Sequence, residues 1–470
     1  MVDETPSDKP PRAAVLAVAV CALLIRVAFV VTMADSLNAD PDAYRRIAEN
    51  LRQTGVYGST SSPTAFRPPL YPVLLAGLAV NGEVAPSAVG GLHVLCGVAT
   101  VMLTFLLAYQ RQLGRWAFVA AALVAIDPIL LNQSTLVMTE TLATLIAAAG
   151  LLALSWWSAR PSFSRAVLAG VVFGLACLCR PTFIPWLGLA ALVMVLLQRK
   201  QAKEMVWLES SLRKSIGFSI AFLLSATLVV SPWVVRNYYV FGVPKVTTTH
   251  GGYTVLLGNN PSFYRYLRHA PRGTTWDATE LATMWELRRY SASPNDLMWN
   301  LPHEISTPPI DRTEFEDDDF AYSLARRHIK DETGMFAYSC VVRVARLWQL
   351  MPYKTSDSES TARLLMRVFT GCWYSVLFVL AIGAIVARRT EALCSPLVWG
   401  LLLCVAFTGV HALYWSNMRM RAPLMPFLCL LAAQGAAWII NRFDVNIRRR
   451  GGRELSGTAL AADSPRKTGG

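Results

Sequence analysis

Two aspartates, Asp40 and Asp42, stand in the stretch NADPDAYRRIAENL, a few residues past an apolar run at 13–33. Five arginines, Arg67, Arg180, Arg236, Arg419 and Arg421, fall at or near the ends of other apolar runs. A carboxylate held at a membrane–water boundary and partly desolvated can take a proton from an attacking hydroxyl or amine. A guanidinium is always charged and can grip phosphate oxygens in a bidentate fork. Together these types suit transfer chemistry on a lipid phosphate. Each also has a plainer account. Asp40 as N-cap, Pro41 at the first helical position and Asp42 in the first turn would favour the start of a helix. Each arginine would snorkel to headgroups or pair with a nearby acid. Capping and catalysis are compatible, because a cap fixes the position of the carboxylate.

Other polar residues weigh less. Glu140, in DPILLNQSTLVMTETL, and Asp127, before Pro128, share by spacing the same end of the membrane as the arginines, with Asp127 also suited to a cap or turn. Asp317, Asp318 and Asp319 read as a solvated helix start rather than a metal site. His250 and His269 lack ligand spacing with any carboxylate, so no metal is assigned. The nine cysteines are scattered, mostly within apolar runs, and read as small buried hydrophobes.

These groups must be positioned by membrane helices. The 470 residues are 54% hydrophobic and 16% charged, the balance of a polytopic membrane protein. Apolar runs of roughly 18 to 25 residues suit a hydrocarbon core of about 30 Å. Spans are expected near 13–33, 86–109, 116–131, 136–157, 166–179, 182–198, 216–235, 368–387, 395–414 and 422–440. The first, with Lys9 and Arg12 before it, lacks a clean small-x-small cleavage site and is expected to be a retained helix rather than a signal peptide. Arg111 and Arg115, Arg160 and Arg165, RKQAKE, Arg388 and Arg389, and NIRRRGGR fall on alternate ends. The positive-inside rule then puts both termini in the cytoplasm, so the net charge of +13 needs no nucleic-acid partner.

The implied organisation is a cytoplasmic N-terminus (1–12), a membrane module (13–235) with its first outer loop at 34–85, an extracytoplasmic segment (236–367), C-terminal membrane helices (368–440) and a basic cytoplasmic tail (441–470). Within the first outer loop, Tyr44, Ile47, Ala48 and Leu51 make one apolar helix face, ended by Gly55, as for a helix lying on the membrane surface. RPPLYPVLLAGLAV starts a second short helix on Pro68 and Pro69. VPKVTTT and GGYTVLLGNN are rich in β-formers and turn residues, and 315–352 reads as two helices with a stripe of Phe320, Leu324 and Ile329. The fold class is therefore all-α and polytopic, about ten transmembrane helices plus surface helices, with a mixed extracytoplasmic cap.

DPDAYRRIAENLRQTGVYG…RPPLYPVLLAG resembles the first outer loop of bacterial membrane glycosyltransferases of the GT-C superfamily. The branch is related to protein O-mannosyltransferases and to the lipid A aminoarabinose transferase. DPILLNQSTLVMTET, GLACLCRPT, SPWVVRNYYVFGVPKVTTTHGGYTVLLGNNP and HALYWSNMRMRAPLMPFLCLLAAQG agree in order, so the likeness runs from about residue 12 to 440. The resemblance implies an enzyme using a polyprenyl-phosphate sugar as donor. It makes Asp40, four before the tyrosine of DPDAY, the base, with Asp42 as alternate. It makes Arg67, Arg180, Arg236, Arg419 and Arg421 ligands of the donor phosphate, with Tyr44, Glu140 and Asn237 orienting them. Two departures stand out. A proline separates two aspartates where the family often has Asp-Glu, and Met420 precedes Arg421 where an aromatic is common.

The expected function is inverting, single-displacement sugar transfer on the extracytoplasmic side of the inner membrane, with an acceptor that is protein, lipid or glycan. Membrane lipid is the other expected partner, no cofactor is called for, and a divalent-metal requirement is left open. The alternative is a flippase or transporter of a lipid-linked sugar. That class tends to show inverted repeats, and no such internal symmetry is visible.

Overall fold

A computed structural model describes residues 10–201, 205–271, 273–290, 310–354, 359–387 and 397–442, with side chains described outside 198–211. Lys9, most of RKQAKE, Arg388, Arg389 and the tail from 443 lie outside that description. Among the described residues there is no strand, and one isolated bridge joins Val80 and Glu83.

The chain opens with α1 (Arg12–Thr32) and crosses the first outer loop through α2 (Tyr44–Thr54) and α3 (Leu70–Gly77). There follow α4 (Pro86–Gln110), α5 (Trp116–Ala125), α6 (Pro128–Gln133), α7 (Glu140–Ala159), α8 (Phe163–Cys179), α9 (Ile184–Gln201) and α10 (Met205–Phe241). The segment after α10 carries α11 (Gly251–Leu257), α12 (Pro261–His269), α13 (Thr279–Leu287), α14 (Glu314–Asp331) and α15 (Thr333–Leu347). Then come α16 (Thr361–Ala387), α17 (Leu397–Leu413), a short 3₁₀ turn at Met418–Leu424, and α18 (425–442). Six helices among the described residues are long and apolar enough to cross a membrane, and four shorter apolar ones accompany them.

Most of the expected spans appear within a few residues of their bounds. The one expected at 116–131 is broken into α5 and α6 at Asp127–Pro128. Pro128 has no N–H to return to the carbonyl of Val124, four residues back. Arg26, buried in α1, supplies the missing donor. Its Nη2 lies 3.0 Å from Val124 O and its Nη1 2.9 Å from Leu130 O. Asp127 then caps α6 by accepting from Leu130 N at 3.0 Å. Its carboxylate also accepts from Tyr374 Oη at 3.0 Å. Pro232 lies inside α10, which continues through it, and Ser231 Oγ donates to the freed carbonyl of Leu228 at 2.9 Å.

α8 and α10 pack most closely through Gly170 and Gly174. A Cβ at these positions would meet Phe222 O at 2.2 Å and Ala226 O at 2.8 Å. Small residues four apart let helix backbones approach in lipid, where apolar burial between helices supplies little.

In the first outer loop, α2 turns Tyr44, Ile47 and Ala48 inward and ends on Gly55, whose φ of 75° is left-handed. α2 starts at Tyr44 rather than at Pro41, so Asp40 and Asp42 both precede it. The described part of the outer segment is helical. The expectation of a mixed cap there is corrected: GGYTVLL is α11, its buried Leu256 packed with Phe320 and Leu324 of α14. Asp318 is not a solvated helix start. It is buried, its carboxylate accepting from Gly252 N at 2.6 Å and pairing with Lys245 Nζ at 2.8 Å. Thr313 and Glu316 form the reciprocal cap of α14 instead.

Candidate active site

Helix direction brings the polar groups together. α7 begins at Glu140 and α8, antiparallel to it, ends just before Arg180. The turn after α17 carries Arg419, and the first outer loop carries Asp40, Asp42, Tyr44 and Arg67. Alternation of the spans puts all of these at one end of the bundle.

Two charged groups form there. Arg67 Nη2 pairs with Asp42 Oδ1 at 2.8 Å, while its Nε donates to the Asp42 carbonyl at 3.0 Å. The Arg67 guanidinium also covers the rings of Phe66 and Tyr44, 4.8 and 5.4 Å from their centroids. In the second group, Glu140 is shared by two arginines. Arg180 Nη1 lies 3.0 Å from Glu140 Oε1, and Arg419 Nε lies 3.6 Å from the same oxygen. The second distance is ion-pair range but too long for a hydrogen bond, and Arg419 Nε has no hydrogen-bond partner although it is buried. One carboxylate against two guanidiniums leaves a formal excess of one positive charge.

Arg180 Nη1 also reaches Thr139 Oγ1 at 3.3 Å, but one further donor on each arginine is poorly served. Arg180 Nη2 faces the thioether of Met420 at 3.1 Å, and Arg419 Nη1 faces that of Met138. A thioether sulfur is a weak acceptor. A phosphate oxygen at the same place would be a far stronger one, and charge-assisted.

Tyr44 lies between the groups. Burial pushes its hydroxyl up to about 12, with Arg67 and Arg180 pulling against it and Asp42 and Glu140 adding to it. It therefore stays neutral and able to donate. Its ring packs edge-on to Tyr71 at 5.4 Å. Tyr71 Oη lies 2.9 Å from His93 Nε2, whose Nδ1 lies 3.0 Å from Ser134 O. A carbonyl can only accept, so in the neutral ring Nδ1 carries the proton and Tyr71 donates to Nε2.

The two aspartates differ in their surroundings. Asp40 Oδ2 accepts from Arg46 N at 3.0 Å, the third residue of α2, and so caps the helix from outside it. Asp40 Oδ1 is buried and has no hydrogen-bond partner. Asp42 is tied to Arg67. Between them the chain turns sharply, with Ala43 N donating to Asp40 O at 3.2 Å and Ala43 at φ 58°. A left-handed alanine costs roughly 1–2 kcal/mol, a strain that separates the two carboxylates.

Arg236, Arg421 and Asn237 are engaged elsewhere. Arg236 Nη1 donates to Thr64 O and to Asn237 Oδ1, both at 2.9 Å, and Asn237 Nδ2 donates to Lys245 O at 2.9 Å. Arg421, fully buried, donates to the carbonyls of Leu347 and Gln349 and stacks over Tyr374 at 4.1 Å. His250 instead joins the outer-loop group, its ring centroid 4.4 Å from that of Phe66. Burial first, then the charge of Arg67, pulls its imidazole down to about 3. From sequence, His250 is weighed only as a metal ligand, and Arg26 and His411 are not singled out. An arginine alone in an apolar run was the visible signal for Arg26.

No group of three or more His, Cys, Asp or Glu able to hold a metal occurs among the described residues.

Residues 67–235 match the family model described as dolichyl-phosphate-mannose-protein mannosyltransferase. The archaeal oligosaccharyltransferase AglB from Archaeoglobus fulgidus, in complex with an inhibitory peptide and a dolichol-phosphate, superposes with a TM-score of 0.51 at 16% identity, covering 97% of this chain. This chain shares the fold of the AglB membrane part. It spans 52% of the AglB chain. ArnT from Cupriavidus metallidurans bound to undecaprenyl phosphate aligns over 88% of this chain and 77% of its own, at 15% identity and a TM-score of 0.35, too distant to bear on the site. No curated protein matches. The match to the mannosyltransferase family model takes in Arg67, Glu140 and Arg180.

Proposed function

We propose that this protein is a GT-C membrane glycosyltransferase that moves a sugar from a polyprenyl-phosphate donor to an acceptor on the extracytoplasmic face of the inner membrane. The observation that carries the reading is the under-compensated pair Arg180–Arg419 around Glu140, its spare donors turned to thioethers, beside the Asp42–Arg67 pair. A phosphate monoester or diester fits that excess charge. The dolichol-phosphate bound to AglB, which shares the fold, supports the same ligand class.

In the reaction, the acceptor oxygen or nitrogen attacks the anomeric carbon. The carbon–oxygen bond to phosphate breaks, polyprenyl phosphate departs, and the acceptor's proton passes to the base. Asp40 is the base: its Oδ1 has no partner, whereas Asp42 is committed to Arg67. Asp42 is the alternate. Arg180 and Arg419 neutralise charge developing on the leaving phosphate in a poorly solvated site, where preorganised donors act most strongly. Arg236 and Arg421 hold the backbone around it. The same proposal keeps both termini cytoplasmic and the 236–367 segment over the acceptor side.

A flippase would also bind a lipid phosphate. Purified protein supplied with polyprenyl-phosphate sugars and an extract of acceptors separates the two. Sugar transfer by wild type and none by Asp40→Asn supports the enzyme. Scrambling of the lipid without product overturns it.

A further inference from the structure

The turn joining α17 to the 3₁₀ stretch folds back on the arginine pair and is heavily preorganised. His411 Nδ1 lies 3.2 Å from Trp415 O, closing the turn. Trp415 N donates to Thr254 O at 3.3 Å, tying the turn to α11. Asn417 Oδ1 accepts from Arg419 N at 3.2 Å. Backbone and caps are thus satisfied, yet between His411 and Arg419 three side-chain atoms are buried without a hydrogen-bond partner: His411 Nε2, Ser416 Oγ and Arg419 Nε. His411 is 3% exposed and Ser416 fully buried. His411 lies in the electrostatic field of Arg180 and Glu140.

Buried polar groups are almost always hydrogen-bonded, so three orphans together beside a charged cluster call for an explanation. Their chemistry is specific. A carbonyl oxygen only accepts, so in the neutral ring the His411 proton is on Nδ1, and Nε2 presents a bare lone pair. Ser416 Oγ both donates and accepts, and Arg419 Nε only donates. One acceptor, one amphoteric group and one donor match a polyol such as the hydroxyls of a sugar ring. A phosphate, which only accepts, would leave His411 Nε2 unmet.

Building on the proposed transferase reading, we infer that His411 and Ser416 form the subsite for the donor's sugar ring, next to the phosphate held by Arg180 and Arg419. His411 Nε2 accepts from a sugar hydroxyl, and Ser416 Oγ bonds a second hydroxyl. The division of labour is clear: arginines bind the lipid phosphate whatever it carries, and the 411–416 turn reads the sugar.

The test compares full-length wild type, His411→Ala, Ser416→Ala and Arg180→Met in nanodiscs. Each is titrated with undecaprenyl phosphate and with undecaprenyl-phosphate glucose, mannose and galactose. Wild type should bind at least one sugar lipid more tightly than bare undecaprenyl phosphate. His411→Ala should lose about three- to tenfold on that sugar lipid, with binding of bare undecaprenyl phosphate unchanged. Ser416→Ala should do the same more weakly. His411→Gln, whose amide oxygen can accept in place of Nε2, should recover part of the loss, which a folding defect would not. Equal weakening of both lipids by His411→Ala, or no change in either, or no sugar increment in wild type, overturns the subsite but leaves the transferase standing. If wild type binds none of the four lipids, the transferase reading itself fails, and the subsite with it.

Discussion

Two sets of arginines in this protein use the same side chain to opposite ends. Arg26, Arg236 and Arg421 point at backbone carbonyls: Val124 and Leu130, Thr64, and Leu347. Each sits where the chain breaks or turns and a carbonyl would otherwise lie unpaired in apolar surroundings. Arg67, Arg180 and Arg419 face carboxylates and thioethers. The first set replaces missing N–H groups. The second set includes two guanidiniums that share one carboxylate and so keeps positive charge in reserve. An arginine near a membrane is costly in either role, so cost alone does not mark a binding site. What marks it is the unbalanced charge where Arg180 and Arg419 share Glu140.

The comparison is broken or sharpened most strongly at the base. Asp40→Asn should cut turnover about 100- to 10,000-fold while leaving undecaprenyl-phosphate binding close to wild type. Asp42→Asn should act more mildly, through Arg67. A reversed order in single-turnover assays would move the base to Asp42.

Next come the reserve arginines. Arg180→Met should weaken undecaprenyl phosphate about 10- to 100-fold, the loss of a charge-assisted contact. Arg236→Met should not, as read by tryptophan fluorescence titration. Equal losses in both would erase the distinction between the sets.

The carbonyl-bound set should show itself in stability. Arg26→Met leaves Val124 O unpaired beside Pro128 and should cost about 1–3 kcal/mol, visible as a lower melting temperature in detergent. Binding per folded molecule should hold. An unchanged melting temperature would show that the α5–α6 break needs no clamp.

The smallest effect concerns pH. His250 is held neutral to about 3 in the folded protein, by burial and then by Arg67, against 6.5 unfolded. Between those values the unfolded chain binds the extra proton, so stability falls as pH drops from about 6.5 towards 3 and is flat above. His250→Asn should flatten that slope in melting curves. An identical slope in the variant would show that His250 takes no part in it.

Much of the frame was readable in advance. Long apolar runs announce helices because a lipid interior leaves unpaired backbone no other choice. Tyr44, Ile47 and Ala48 declared a buried face by period alone. Proline at Pro69 and glycine at Gly55 marked helix ends through their own backbone limits. Residue composition misjudged residues 251–257, whose β-forming types became α11, with Leu256 packed on α14. Asp318 looked solvated from its acidic neighbours, yet Lys245 and Gly252, far off in the chain, bury it.

What the sequence by itself determined is therefore the class, the spans and the list of polar residues able to do chemistry, all local properties of composition and period. Packing settled which of five arginines share a carboxylate and which serve carbonyls, that Asp42 is paired with Arg67 while a buried oxygen of Asp40 has no partner, and that Arg26 completes a helix broken a hundred residues away. Those are questions of partner geometry. Partners distant in the chain meet only when the helices have packed.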